Sequence, residues 1–249
     1  MHSRPPIKAF FSAVTLALAA CSAGQAAGDE PAKPRVGWFS TLPIYWGESD
    51  DLTAMLDGDS DKDWARKVLE QRFTLAPVDA LEPEMLAGVD RLLLAQPRAL
   101  APSENVALDE WLRGGGRLLI FADPLLTRHS EYPIGDRRRP QDVVLLSPIL
   151  ARWGLELQFA EEQPEGERWE KAYDGNFPVN LAGRFAIVEG SAPAECMVSN
   201  SGILAQCQVG KGRVTLLADA AILDWEGPGE VPANRTAALD SLVAAALDF

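Results

Sequence analysis

Histidine and cysteine are scarce in this 249-residue chain, which has two of the first and three of the second. One of the two histidines, His2, lies in an N-terminal stretch expected to be removed, so any histidine-assisted nucleophile must use His129. A metal site supported by histidine is excluded on the same ground, and no cofactor motif is visible. Basic residues are also few, 23 Lys+Arg against 36 Asp+Glu for a net charge of −13. Such a surface repels polyphosphates, which argues against nucleic-acid binding, and offers no polybasic patch for a membrane. Long apolar runs are missing too. The longest, residues 9–20, is about twelve residues, short of the roughly 20 that span a bilayer. No internal repeat or low-complexity tract is present.

What is present begins at the N-terminus. Arg4 and Lys8 precede the apolar run, which ends in Leu18-Ala19-Ala20-Cys21. A basic segment, a short apolar segment and small residues before a cut make a secretory signal. The last four residues resemble the bacterial lipobox, which implies that Cys21 becomes a lipidated N-terminus; plain secretion by cleavage near Gly24-Gln25-Ala26 is the alternative. Stable attachment takes more than one acyl chain, and the multiply acylated cysteine implied by the resemblance satisfies that. Ser22 after the cysteine, with no aspartate, slightly favours the outer over the inner membrane of a periplasmic protein. Residues 1–20 are thus expected to be signal, 21–34 a tether and 35–249 one α/β domain. Loss of Arg4 and Lys8 leaves 21 basic against 36 acidic residues, a net charge near −15.

With Cys21 set aside, Cys196 and Cys207 form an even pair in an oxidising compartment. If Ser201-Gly202 centre a turn, these two cysteines fall opposite each other on a hairpin, so a cross-strand disulfide is expected.

Continuous apolar runs over 90–96, 117–123 and 212–219 read as buried parallel strands, with a further strand over 35–40 and an edge strand over 74–79. Helices are signed by Asp63 as a cap, by Pro102 and Gly114 as start and stop, by Ser147-Pro148 ending at Gly154, and by Leu239, Leu242, Val243, Ala246 and Leu247 near the C-terminus. Strands over 155–159 and 184–189 and the cysteine hairpin make residues 160–210 an antiparallel insertion. Strands alternating with helices predict an open, mainly parallel, three-layer α/β sheet.

Three segments carry a resemblance: Asp90-Arg-Leu-Leu-Leu-Ala-Gln-Pro97, Leu108-Asp-Glu-Trp-Leu-Arg-Gly-Gly-Gly-Arg-Leu-Leu-Ile-Phe-Ala-Asp-Pro124 and Gly210-Lys-Gly-Arg-Val-Thr-Leu-Leu-Ala-Asp219. Together they are similar to the periplasmic domain of the GldG-type, ABC-type uncharacterised transport system proteins. The resemblance implies a flavodoxin-like sheet of the class I glutamine amidotransferase kind, and a possible ABC transporter as partner. Those proteins carry membrane helices, and no such run follows the signal here. Where the amidotransferase fold places its nucleophilic cysteine, this chain has Ala122-Asp123-Pro124, so a catalytic role is not expected.

Ligands of open α/β sheets bind outside the carboxyl ends of the strands. Those ends bring Ser40, Thr41, Tyr45, Trp46, Gln96, Arg98, Asp123, Asp219 and Asp224, and a polar loop brings His129 beside Arg128 and residues 137–139. Aromatics beside carboxylates and amides suit a small glycan or peptide, while simple turn-capping by the aspartates is the plainer role. The run Asp57-Gly-Asp59-Ser-Asp61-Lys-Asp63 has calcium-like spacing but Lys62 at the sixth place and Val68 at the twelfth; it reads as an acidic lead-in to a helix. Gly210-Lys-Gly212 reads as a turn rather than a phosphate loop. The expected function is a membrane-anchored, non-catalytic envelope lipoprotein that binds a partner protein or small ligand. An envelope hydrolase using Asp123, His129 or Asp219, and a purely structural protein, are the alternatives.

Overall fold

The computed structural model describes residues 1–2, 32–47, 62–188, 190 and 194–248. Cys21, residues 3–20 of the signal, most of the tether and the acidic run 57–61 lie outside them. In chain order the elements are β1 (Arg35–Ser40), α1 (Trp64–Arg72), β2 (Thr74–Pro77), α2 (Pro83–Leu86), β3 (Arg91–Ala95), α3 (Pro102–Gly114), β4 (Arg117–Phe121), α4 (Ser147–Trp153), β5 (Leu155–Phe159), β6 (Arg168–Ala172), β7 (Gly175–Val179), β8 (Gly183–Ile187), β9 (Glu195–Val198), β10 (Leu204–Val209), β11 (Gly212–Leu217), a 3₁₀ turn (Ala221–Leu223) and α5 (Ala233–Leu247).

Seven strands form the main sheet in the order β2-β1-β3-β4-β11-β10-β9. The first five are parallel neighbours. Counted along the chain their order is 2-1-3-4-5, the flavodoxin-like arrangement. Consecutive side chains of a strand face opposite ways, and here both ways are covered. Leu93 and Leu119 join Phe73, Leu239 and Val243 on the side of α1 and α5. Leu92, Leu94, Leu118 and Ile120 join Leu108, Leu112 and Trp153 on the side of α3 and α4. Burial on both faces is why these strands are continuously apolar in sequence.

Helix ends follow local chemistry. The Asp63 carboxylate accepts from Ala65 N at 2.7 Å, and Glu104 reaches back to Ala101 N at 2.8 Å, one half of a capping box. The fully buried Asp109 carboxylate on α3 accepts from Trp153 Nε1 (3.0 Å) and pairs with Arg113 and Arg152, tying α3 to α4.

The antiparallel part is more divided than a single insertion. β10 pairs with β11, and β9 with β10, extending the main sheet. β5–β8 and β6–β7 form separate two-stranded ladders. Cys196 stands opposite Cys207 in the β9–β10 register, the two are disulfide-bonded, and their Cα atoms are 4.1 Å apart. Gly202 takes the turn with φ +79°. Gly210 and Gly212 bracket the β10–β11 turn; a Cβ at Gly212 would run into the Leu112 and Gly116 carbonyl oxygens, so the close approach of α3 requires glycine. Among the described residues no helix is long and apolar enough to cross a membrane.

Candidate functional site

The carboxyl ends of β1, β3, β4 and β11 meet as the topology requires, and their polar side chains are turned on one another. Gln96, fully buried with φ +44°, accepts from Asp123 N (2.9 Å) and donates to Asp123 O (3.0 Å) and Gln141 O (2.8 Å). Thr41 Oγ1 donates to Gln96 O at 2.5 Å and accepts from Gln141 N at 3.1 Å. Ser40 Oγ donates to Ala95 O (2.8 Å) and accepts from Leu42 N (2.9 Å). These bonds draw the chain around Gln141 across the strand ends.

Asp123 and Asp219 extend the closure. Asp123 accepts from Leu125 N (2.9 Å) and Ala220 N (3.1 Å). Asp219 accepts from Ala221 N (2.5 Å) and Asn180 N (2.8 Å). Each carboxylate oxygen therefore holds a backbone donor, and three loops are fastened together. Burial pushes the Asp123 carboxyl up to about 6. Asp219 is pushed well above the usual carboxylate range, by burial first and by the neighbouring Asp123 charge second. The pair can hold a proton near neutral pH, but the space ringed by Leu42, Asp123, Leu126, Ala220 and Leu223 has no room for a water molecule.

The other expected residues stand apart. Arg98 is turned to Glu104, bonding both its carboxylate oxygens at 2.7 and 2.8 Å, and lies 5.0 Å from the Phe39 ring centroid. Those bonds hold the Glu104 carboxyl down at about 2. Arg66 stacks 4.0 Å over the Tyr45 ring, and Trp46 meets Tyr45 edge-on at 4.7 Å while remaining 63% exposed. The His129 side chain is 71% exposed, with Nε2 3.6 Å from Glu131. Asp224 pairs with Arg128 at 3.1 Å. The strand ends thus bring together Ser40, Thr41, Gln96, Asp123 and Asp219, in a closed network rather than an open crevice.

Open space lies to the side. A polar cavity of about 310 Å³ is bounded by Thr127, Glu167, Asn180, Asp224, Trp225 and Glu226. Of these, sequence reasoning singled out only Asp224. Asn180 comes from the turn after β7, Glu167 from the approach to β6, and Trp225 and Glu226 from the run after the 3₁₀ turn. The one signal available was Trp225-Glu226-Gly227-Pro228-Gly229, an aromatic and a carboxylate in a turn-rich segment just past a buried strand. A larger apolar groove of about 870 Å³ runs between the β6–β7 hairpin, β9, β10 and α5, where Trp169, Tyr173, Phe177, Met197 and Leu242 line it. Among the described residues no group of His, Cys, Asp and Glu is arranged to hold a metal ion.

A family model described as an ABC-type uncharacterized transport system matches residues 33–162. No curated protein matches the chain. Among solved structures, an exo-β-1,4-mannosidase from Opitutaceae bacterium strain TAV5 is 14% identical with a TM-score of 0.48, covering 87% of this chain and 36% of that one. The chain therefore spans little more than a third of that enzyme. A cytoplasmic protein from Salmonella typhimurium LT2 is 12% identical (TM-score 0.47), covering 87% of this chain and all of its own. A ThuA-like protein from Bacteroides uniformis is 9% identical (TM-score 0.38), covering 88% and 94%. The fold assignment rests on the strand order rather than on these distant likenesses.

Proposed function

Because this chain belongs to the family described as an ABC-type uncharacterized transport system, we propose that it is a lipid-anchored accessory domain of such a system, acting in the bacterial periplasm by binding rather than by catalysis. The family match associates it with ABC-type transport. The finer reading is carried by one observation: the strand-end carboxylates, Asp123 and Asp219, have their oxygens committed to Leu125, Ala220, Ala221 and Asn180 backbone donors. A carboxylate so engaged fastens loops, whereas a nucleophile or general base needs access to substrate. The lone mature-chain histidine, His129, is exposed beside Glu131, which gives it no role with either aspartate.

The tether reading rests on Leu18-Ala19-Ala20-Cys21. An acyl anchor holds the domain at the envelope membrane while its cavities face the aqueous space, with the outer membrane slightly favoured over the inner by Ser22. Two measurements test the proposal. Cys21→Ser should move the full-length protein from the membrane fraction to the soluble periplasm; unchanged membrane retention refutes lipid anchoring. Affinity purification of the tagged protein after gentle solubilisation should bring down an ABC permease or ATPase identified by mass spectrometry, and recovery without either removes the transporter link.

A further inference from the structure

The two edges of the main sheet are finished differently. At β2, Thr74 N and Val78 N donate inward to Pro34 O and Trp38 O, so Pro77 falls on an outward-facing position and brings no donor to it. Proline on an edge strand discourages pairing by another chain. At β9 the corresponding positions are open. Ser199 N donates to Leu204 O, and the Cα atoms of the facing Cys196 and Cys207 are 4.1 Å apart, the spacing of a pair that exchanges no backbone hydrogen bonds. Cys196 and, two residues on, Val198 therefore turn their N–H and C=O groups outward, and among the described residues neither is bonded across that edge. No proline or lysine interrupts Glu195–Val198, and Met197 is 63% exposed.

This open edge borders the apolar groove of about 870 Å³, which Met197 lines. Cys196 and Val198 pack the opposite way, on the side of α3 and α4, as strand alternation requires. A chain laid along β9 therefore sends every second side chain to the Met197 side, toward the Trp169, Tyr173 and Phe177 rings and Leu242 of α5. Two exposed carboxylates stand at the same place, Asp174 at the β6–β7 turn and Glu195 on β9. Asp109, Glu104 and Asp136 pair with arginines, but among the described residues Asp174 and Glu195 make no ion pair. We propose that the β9 edge and this groove take an extended segment of a partner protein, added as a further strand, with alternate apolar side chains toward the groove and basic residues beside Asp174 and Glu195. In strand addition the main-chain bonds give affinity, and pockets for alternate side chains give specificity. A second copy of this chain fits less well. It would bring up a body of the same charge, −13 for the whole sequence, and set a second Glu195 and Asp174 into one interface.

This inference rests on reading the domain as a binding module, and its test is independent of the anchor and of the transporter. The oxidised full-length protein, in detergent, is titrated with a synthetic peptide that alternates threonine with valine and phenylalanine and ends in lysines, while backbone amide exchange is followed by NMR. In the free protein the Cys196 and Val198 amides should exchange fast and the Met197 amide, which faces β10, slowly. The peptide should protect the first two saturably. Met197→Lys, an edge charge with the fold retained by circular dichroism, should weaken binding about tenfold. The same peptide ending in glutamates should bind about threefold more weakly at low salt, and Asp174→Lys with Glu195→Lys should reverse that preference. N-methylation of the peptide backbone should abolish protection. Unchanged exchange at both amides up to millimolar peptide, or equal binding of the N-methylated peptide, overturns the assignment. So does slow exchange at both amides before any peptide is added: dependence on protein concentration would give the edge to a second copy, and independence to another segment of this chain. If the amides stay unprotected while a permease still co-purifies, only this inference fails; if they are protected and no permease comes down, only the transporter link does.

Discussion

The closed strand ends and the cavity beside them are built from the same residue types and behave oppositely. Around Gln96, side-chain amide and backbone satisfy each other completely: Asp123 N, Asp123 O and Gln141 O all meet one side chain. Around the half-buried Asn180 and Trp225, an amide and an indole leave an acceptor and a donor unmet. The flavodoxin-like topology makes the first region the customary place for a ligand, and in this protein that place has been converted into structure. What separates the two is the loop carrying Gln141, which supplies the hydrogen bonds that a ligand would otherwise make. The neighbouring wall, from the turn after β7 and the run after the 3₁₀ turn, has no such plug.

If that contrast is right, the largest effect of mutation falls on the closed end. Gln96→Ala orphans the Asp123 N–H and the Gln141 carbonyl at once, while Asp123 O keeps Val144 N at 3.1 Å, and should cost about 2–4 kcal/mol, read as a fall in the urea midpoint at unchanged slope. A loss under about 1 kcal/mol would show that the closure is not holding the loops and would dissolve the comparison.

The Cys196–Cys207 bridge comes next. It closes a loop of 11 residues in sequence separation, and the chain-entropy argument gives about 3 kcal/mol for its removal by paired Cys→Ala substitution. Because it lies on the antiparallel edge of the sheet, its loss should loosen β9 in hydrogen exchange before it affects Gln96's surroundings. Simultaneous exposure of both would mean that the two regions are one cooperative unit.

How much of this was legible follows the physics of each element. The parallel strands declared themselves because burial on both faces demands continuous apolar runs, as in Arg91-Leu-Leu-Leu-Ala95. The disulfide register was readable because hairpin pairing is arithmetic around Gly202. The β6–β7 hairpin was hidden: Arg168-Trp-Glu-Lys-Ala172 mixes charge with one aromatic, and its tight turn places Tyr173 at φ +50°, where a glycine or asparagine would have signalled it. At the site, Ser40, Thr41, Gln96, Asp123 and Asp219 were correctly placed at strand ends. Their partners were out of reach, since Gln141 comes from 45 residues beyond Gln96, and only the fold reveals that the two meet. Asn180 and Trp225 carried no spacing motif because they are brought together from separate loops.

The acid pair sharpens the comparison through pH. Asp123 has a folded value of about 6 against 3.8 for the free group, so between roughly pH 4 and 6 the native state keeps a proton that the unfolded chain has lost. The native state binds more protons there, so stability falls as pH rises through that window, by about 3 kcal/mol for Asp123. Asp219 is displaced in the same direction and adds to the fall. Asp123→Asn should flatten the profile of thermal midpoint against pH across this range. An unchanged slope in that variant would place the proton elsewhere.

The smallest effect is expected at the open wall, and its sign matters more than its size. Trp225→Phe removes a buried donor that has no partner, and the desolvation cost of that donor disappears with it. The part of the indole that abuts Gly227, Cε2, Cζ2 and Cη2, is lost with it, so some packing goes too. Stability should therefore stay within about 0.5 kcal/mol of wild type in thermal unfolding, the relief of the unpaired donor offsetting the lost ring contact. A loss of 2 kcal/mol or more, on the order of a buried hydrogen bond left unmade, would mean that Trp225 Nε1 already has an internal partner and that the wall is closed like its neighbour.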